Sequence, residues 1–193
     1  MTLRIAPTLL TLALCVAGMG PTCAQVQLQA AVPAPGGSAK GGFVETERKA
    51  PPPHAADILR RINAYRTAGA TCGSRRMEPA PPLEWDEALQ RAAEVQVRDI
   101  APRGTVSHDG SDGSDVGERV RRQGYVWGLV GENAAAGRST AAATLEQWMG
   151  SPGHCSNLMG AGFRHVAVAG VQAPGTAYTS YWIMVLAAPM GGR

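Results

Sequence analysis

Several things are scarce in this chain of 193 residues. Aromatic residues make up 5%, with two Phe, four Trp and four Tyr. Lysine occurs only at Lys40 and Lys49, so from His54 onward the cations other than histidine are all arginine. An excess of either charge is also missing: 18 Lys and Arg face 15 Asp and Glu. That balance excludes a polybasic nucleic-acid binder and an acidic solvating tail. No apolar run reaches the roughly 20 residues needed to span a bilayer as a helix. Familiar catalytic spacings are absent too. There is no His-Glu-x-x-His helix, no Gly-x-Ser-x-Gly elbow, no glycine-rich phosphate loop with lysine and no Cys-x-x-Cys pair. Zincin proteases, α/β-hydrolases, P-loop NTPases and thioredoxin-like enzymes are thereby set aside.

Glycine and proline, at 24 and 14, are plentiful, and half of the prolines lie before residue 54. Arg4 precedes an apolar stretch containing Leu9, Leu10, Leu12, Leu14 and Val16, and small residues close it at Thr22-Cys23-Ala24. Residues 1–24 therefore form a secretory signal peptide, with an uncleaved anchor or a lipid on Cys23 as less favoured readings. Residues 25–53 are rich in Ala, Pro, Gly and Gln and end in Pro51-Pro52-Pro53. Such a segment buries too little apolar surface to offset its ordering entropy and is expected to be a disordered linker. Residues 54–193 remain as one domain. Export places the protein in the periplasm or outside the cell. Cleavage after Ala24 removes Cys15 and Cys23 and leaves Cys72 and Cys155. In an oxidising compartment an even pair is expected to form a disulfide. Two thiols in a reducing cytosol are the alternative.

Within the domain, Ile58, Ile62 and Tyr65 recur at helical spacing and predict a helix over 55–67. Leu89, Ala92, Ala93, Gln96 and Ile100 predict a second, started by Asp86 and Glu87 and stopped by Pro102. Asp115 with Glu118 is a capping-box pattern for a short helix over 116–123. A fourth helix begins after Ser139 and carries Leu145 and Trp148, with 150–153 closing it. Strand signals lie at 166–171 and 178–186, joined by Ala173-Pro174-Gly175-Thr176, with a further strand through Glu132-Asn133-Ala134. Helices outside a small antiparallel sheet imply an α+β domain, layered as an α-β-α sandwich.

The polar residues at element ends are His108, Glu132, Glu146 and His154. Singly, each has an ordinary structural reading. The aspartates at 109, 112 and 115 lack EF-hand spacing and fit a turn leading to a helix cap. The four tryptophans are dispersed, and Trp148 lies on an apolar stripe, so packing is the expected role.

Ser107-His108, Gly131-Glu132-Asn133, Trp148-Met149 followed by Ser151-Pro152-Gly153-His154, and Tyr181-Trp182 occur in the order found in the CAP superfamily. Ile62-Asn63-Ala64-Tyr65-Arg66, Pro82-Leu83-Glu84-Trp85 and Gly124-Tyr125 extend the match over about 55–187. The domain thus resembles the bacterial branch of the cysteine-rich secretory, antigen 5 and pathogenesis-related 1 proteins, also called SCP domains. The resemblance implies an α-β-α sandwich with a cleft lined by two His and two Glu. Position by position these are His108, Glu132, Glu146 and His154. Such a set implies zinc or another divalent ion, with Glu132 as candidate general base. His154-Cys155-Ser156-Asn157 departs from the His-Tyr-Thr-Gln run of eukaryotic members, so their activities do not transfer. The expected function is a monomeric binding module with a metal-competent cleft for a small-molecule, lipid or protein ligand, without nucleic acid or strong membrane contact. A metal-dependent hydrolase and a lipid or sterol carrier are the alternatives.

Overall fold

The computed structural model describes residues 12–14, 24–30 and 53–191. A mixed sheet of six strands, in the order 12–14, 24–30, 127–136, 180–189, 165–172 and 84–85, lies between two layers of helices, and a separate hairpin stands beside it. The α+β sandwich expected from the sequence is present.

Helix α1 (Pro53–Ala68) is followed by the hairpin of β3 (Ala70–Cys72) and β4 (Arg75–Met77). Gly73 turns this hairpin at φ 63°, a conformation open to glycine without strain. Strand β5 (Glu84–Trp85) leads into α2 (Glu87–Arg103). The Asp86 carboxylate caps α2 by accepting from Leu89 N. Pro102 does not stop this helix. It sits in the last turn, and Gly104, left-handed at φ 68°, closes it by donating to Ala101 O. Asp115 caps α3 (Val116–Arg122) by accepting from Glu118 N, as the capping pattern predicts.

Strand β6 (Trp127–Ala136) is longer than its sequence signal, because the alanines and the Gly-Glu-Asn run are strand interior rather than strand end. Helices α4 (Ala141–Met149) and α5 (Pro152–Leu158) follow. By its composition alone, 150–153 is only a helix terminator. Gly150 does cap α4, but Pro152 then opens a new helix at a position where its missing N–H costs nothing. Strands β7 (His165–Gln172) and β8 (Ser180–Pro189) pair as an antiparallel hairpin across the expected connection.

Alternation along β6 decides what each face holds. Val130, Ala134 and Ala136 join Leu89, Ile100, Val116 and Val120 in a core under α2 and α3. Leu129 and Ala135 pack with Ile58, Ile62, Leu145, Trp148, Leu158 and Phe163 under α1, α4 and α5.

Two short stretches of the N-terminal segment are described. Ala24–Ala30, placed at the signal-peptide boundary and the start of a disordered linker, forms strand β2, antiparallel to β6 from Ala24↔Ala135 to Ala30↔Leu129. Val26, Leu28 and Ala30 alternate with Gln25, Gln27 and Gln29, the period-2 pattern of a strand. Leu12–Leu14 (β1) pairs with the start of β2. The rest of the signal-peptide segment and linker residues 31–52 lie outside the described residues. No helix of the described residues is long and apolar enough to cross a membrane.

Candidate functional site

The adjacent residues Glu132 and Asn133 point to opposite faces of β6, and that alternation organises everything around them. Glu132 points toward α3. His108 Nδ1 lies 2.8 Å from its Oε1, and Arg119 Nη2 donates to its Oε2 at 2.8 Å. Arg119 Nη1 also donates to Ser114 O. The side chains of Glu132, Arg119 and His108 are 0%, 2% and 5% exposed. A carboxylate so paired accepts, so the proton sits on His108 Nδ1. Among the described residues, that leaves His108 Nε2 buried without a partner, and Arg119 Nε is in the same condition.

Asn133 points the other way. Its Nδ2 donates to His154 O, and its Oδ1 accepts from Asn157 Nδ2 at 2.8 Å, so β6 holds α5 by two side-chain amides. His154 is buried on α5, with Nδ1 2.8 Å from Ser151 Oγ. Glu146 is exposed on α4 and accepts from Tyr65 Oη at 2.7 Å. That bond holds the Tyr65 phenol above its ordinary pKa, with partial burial adding to the shift.

The four residues singled out from sequence therefore divide. His108 and Glu132 meet under α3, whereas Glu146 and His154 belong to the α4 and α5 layer. Strand β2 extends the sheet beyond β6, so the sheet continues past Glu132 between the two pairs. Among the described residues no three His, Cys, Asp or Glu side chains gather as a metal-binding group. A zinc ion needs three or four protein ligands in a tetrahedral arrangement. Here it would find one imidazole nitrogen and a carboxylate whose two oxygens already serve His108 and the guanidinium of Arg119. This donor set does not fit zinc.

Sequence reasoning passed over Arg119, although Val116, Arg119 and Val120 share one helical face and both valines are apolar. It also passed over Arg66, which is fully buried. Arg66 donates to the carbonyls of Pro81, Leu158 and Gly160, fastening the end of α5 to α1. Burial, with Arg164 nearby, brings its pKa down to about 10. Cys72 on β3 and Cys155 on α5 form the expected disulfide, with Cα atoms 5.4 Å apart.

Between the β3–β4 hairpin and α5 lies a groove of about 600 Å³. Met77, Leu129, Met159 and Phe163 supply apolar lining, and Arg75 and Arg76 stand on its hairpin wall. Among the described residues neither guanidinium makes a hydrogen bond or ion pair.

The model of the cysteine-rich secretory protein family, CAP, matches residues 59–186. The YkwD protein of Bacillus subtilis (strain 168) is 26% identical over 124 residues, which is 63% of this chain and 48% of the relative. This chain thus spans about half the length of that relative. An extracellular protein containing an SCP domain from Bacillus anthracis superposes with a TM-score of 0.53 at 26% identity, over 69% of this chain and 40% of that one. An outer surface protein of Borrelia burgdorferi has the same fold, with a TM-score of 0.58 at 15% identity over 69% and 91% of the two chains. With motifs, layers and family model in agreement over most of its length, the chain belongs to the CAP family of cysteine-rich secretory proteins.

Proposed function

We propose that this protein is an exported CAP-domain binding module whose ligand lies in the groove between the β3–β4 hairpin and α5. The observation that carries the reading is the construction of that groove. Its two walls are joined covalently by Cys72–Cys155, so its shape is held from both sides. Its volume falls in the range of small-molecule sites, which are mostly apolar with a few placed polar groups. Arg75 and Arg76 add two positive charges against the single negative charge of Glu78. The ligand class this favours is an elongated apolar molecule with one acidic group, such as a long-chain carboxylate.

Export is supported by the apolar N-terminal stretch and by a disulfide buried in the domain. The hydrolase reading has less support. Both oxygens of Glu132 accept from fixed neighbours and the side chain is fully buried, so it is poorly placed to take a proton from an incoming water.

The test is titration of the purified, delipidated protein with palmitate, read by calorimetry. Saturable binding that weakens in an Arg75→Ala/Arg76→Ala variant, and is blocked by Met159→Trp, supports the reading. Absence of binding, or binding indifferent to both variants, refutes it.

A further inference from the structure

Trp85 and Trp182 are far apart in sequence, and both escape full burial. The fold brings them to one groove of about 390 Å³, on the opposite edge of the sheet from β2. Trp127 and Trp148, by contrast, are buried core residues. Trp85 and Trp182 also pack against the core, as expected of all four, but each keeps part of its surface in the groove.

The wall formed by α2 is polar and ordered. Gln90, Glu94 and Arg98 follow each other at intervals of four and share one helical stripe. Trp85 Nε1 donates to Gln90 Oε1, Gln90 Nε2 donates to Glu94 Oε1, and Arg98 Nη2 donates to Glu94 Oε2. Each group is thus oriented by its neighbour, while the amide, carboxylate and guanidinium keep hydrogen-bonding capacity for a ligand. The pair Glu94–Arg98 leaves this stripe without net charge.

The floor is an open sheet edge. Asp86 N donates to Val166 O, so Val166 faces β5, and alternation turns the N–H and C=O of Val168 and Gly170 the same way. Strand β5 pairs only with His165 and Val166, and no described strand continues beyond it. Gly170 is exposed, and the Trp182 ring lies over it so closely that a Cβ there would stand 2.3 Å from Trp182 Cε3. Only glycine allows this approach.

Two aromatic walls, a neutral stripe of mixed donors and acceptors, and open backbone groups are matched by one ligand chemistry. A pyranose ring has a C–H face for an aromatic surface and a rim of hydroxyls that both donate and accept. We propose that this groove binds a neutral saccharide, at a site separate from the groove beside α5.

The probes are cellotriose, maltotriose and triacetylchitotriose, titrated into the purified protein and followed by tryptophan fluorescence and calorimetry. At least one is expected to give a saturable response. Trp182→Leu should weaken it roughly threefold to tenfold, the range of one aromatic contact. Glu94→Gln alters a partly exposed side chain and should weaken it with an unchanged melting temperature, which serves if Trp182→Leu fails to fold. No saturable response to any of the three, a response unaffected by Glu94→Gln in the folded protein, or binding only of an extended peptide along β7 would overturn the proposal.

Discussion

Glu132 and Arg119 form an ion pair at 2.8 Å with neither side chain more than 2% exposed. Such a pair gains little over an apolar replacement, yet losing one partner strands a charge in the interior, at a cost of about 3–5 kcal/mol. Glu132→Gln should therefore destabilise the domain by about that amount in urea unfolding. Arg119→Met should do likewise, and the double variant should lose less than the sum of the two. Additive losses would mean that the charges do not face each other in the folded protein.

The same pair bears on metal. A divalent ion at His108 and Glu132 would have to stand beside the Arg119 guanidinium and compete with it for the carboxylate. Zinc at neutral pH should accordingly leave the melting temperature within about 1 °C of its metal-free value, since only binding to the native state raises it. A clear rise, lost in both His108→Ala and His154→Ala, would restore a metal site built from those residues.

The Cys72–Cys155 bridge closes a separation of 83 positions. Loop-closure entropy assigns such a bridge roughly 4 kcal/mol. The Cys72→Ala/Cys155→Ala variant should lose about that much stability. It should also lose palmitate affinity, because hairpin and α5 are then held together only by packing. Unchanged stability would show that the cross-link restrains little of the unfolded chain.

Tyr125 is buried, and its hydroxyl lies 2.7 Å from His165 Nδ1. Burial pushes the phenol well above its ordinary pKa, with the charge of Asp86 adding to the effect. The folded state thus holds this proton more tightly than the unfolded state, whose phenol titrates near 10. Its stabilising contribution is full below about pH 10 and is lost as pH rises through the higher folded value. Absorbance at 295 nm should show a tyrosine step that accompanies unfolding, and Tyr125→Phe should make that step smaller by one tyrosine. An unfolding step of the same size in Tyr125→Phe would contradict this.

Much of this architecture was legible in the sequence because periodicity and caps are local. Asp86, Asp115 and the Ile58, Ile62 and Leu89 stripes mark α1, α2 and α3 within a turn or two. The site was less legible because motif order along a chain does not say which face of a sheet a residue takes. His108, Glu132, Glu146 and His154 follow in family order, yet His154 is carried by α5 on one side of β6 and Glu132 projects to the other. Arg119 was hidden for a different reason. A charged residue on an apolar helical stripe looks like a flank until a buried carboxylate is found to receive it. Trp85 and Trp182 come together only through the β7–β8 pairing and the short β5 strand, both long-range events.

Strand β2 gives the last prediction. It seats Gln27 opposite Glu132 and Leu28 opposite Gly131, although the family match begins only at residue 59. If the domain core is complete without it, a chain beginning at residue 52 should still fold with its disulfide intact. The outer edge of β6 would then be uncovered, and its outward amides between 129 and 135 should exchange with solvent much faster than in the longer chain. The inward amides, bonded to β8, should keep their protection. Equal protection along all of β6 in both chains would mean that Ala24–Ala30 does not lie on that edge. Failure of the shorter chain to fold would mean that the strand belongs to the core rather than lying over it.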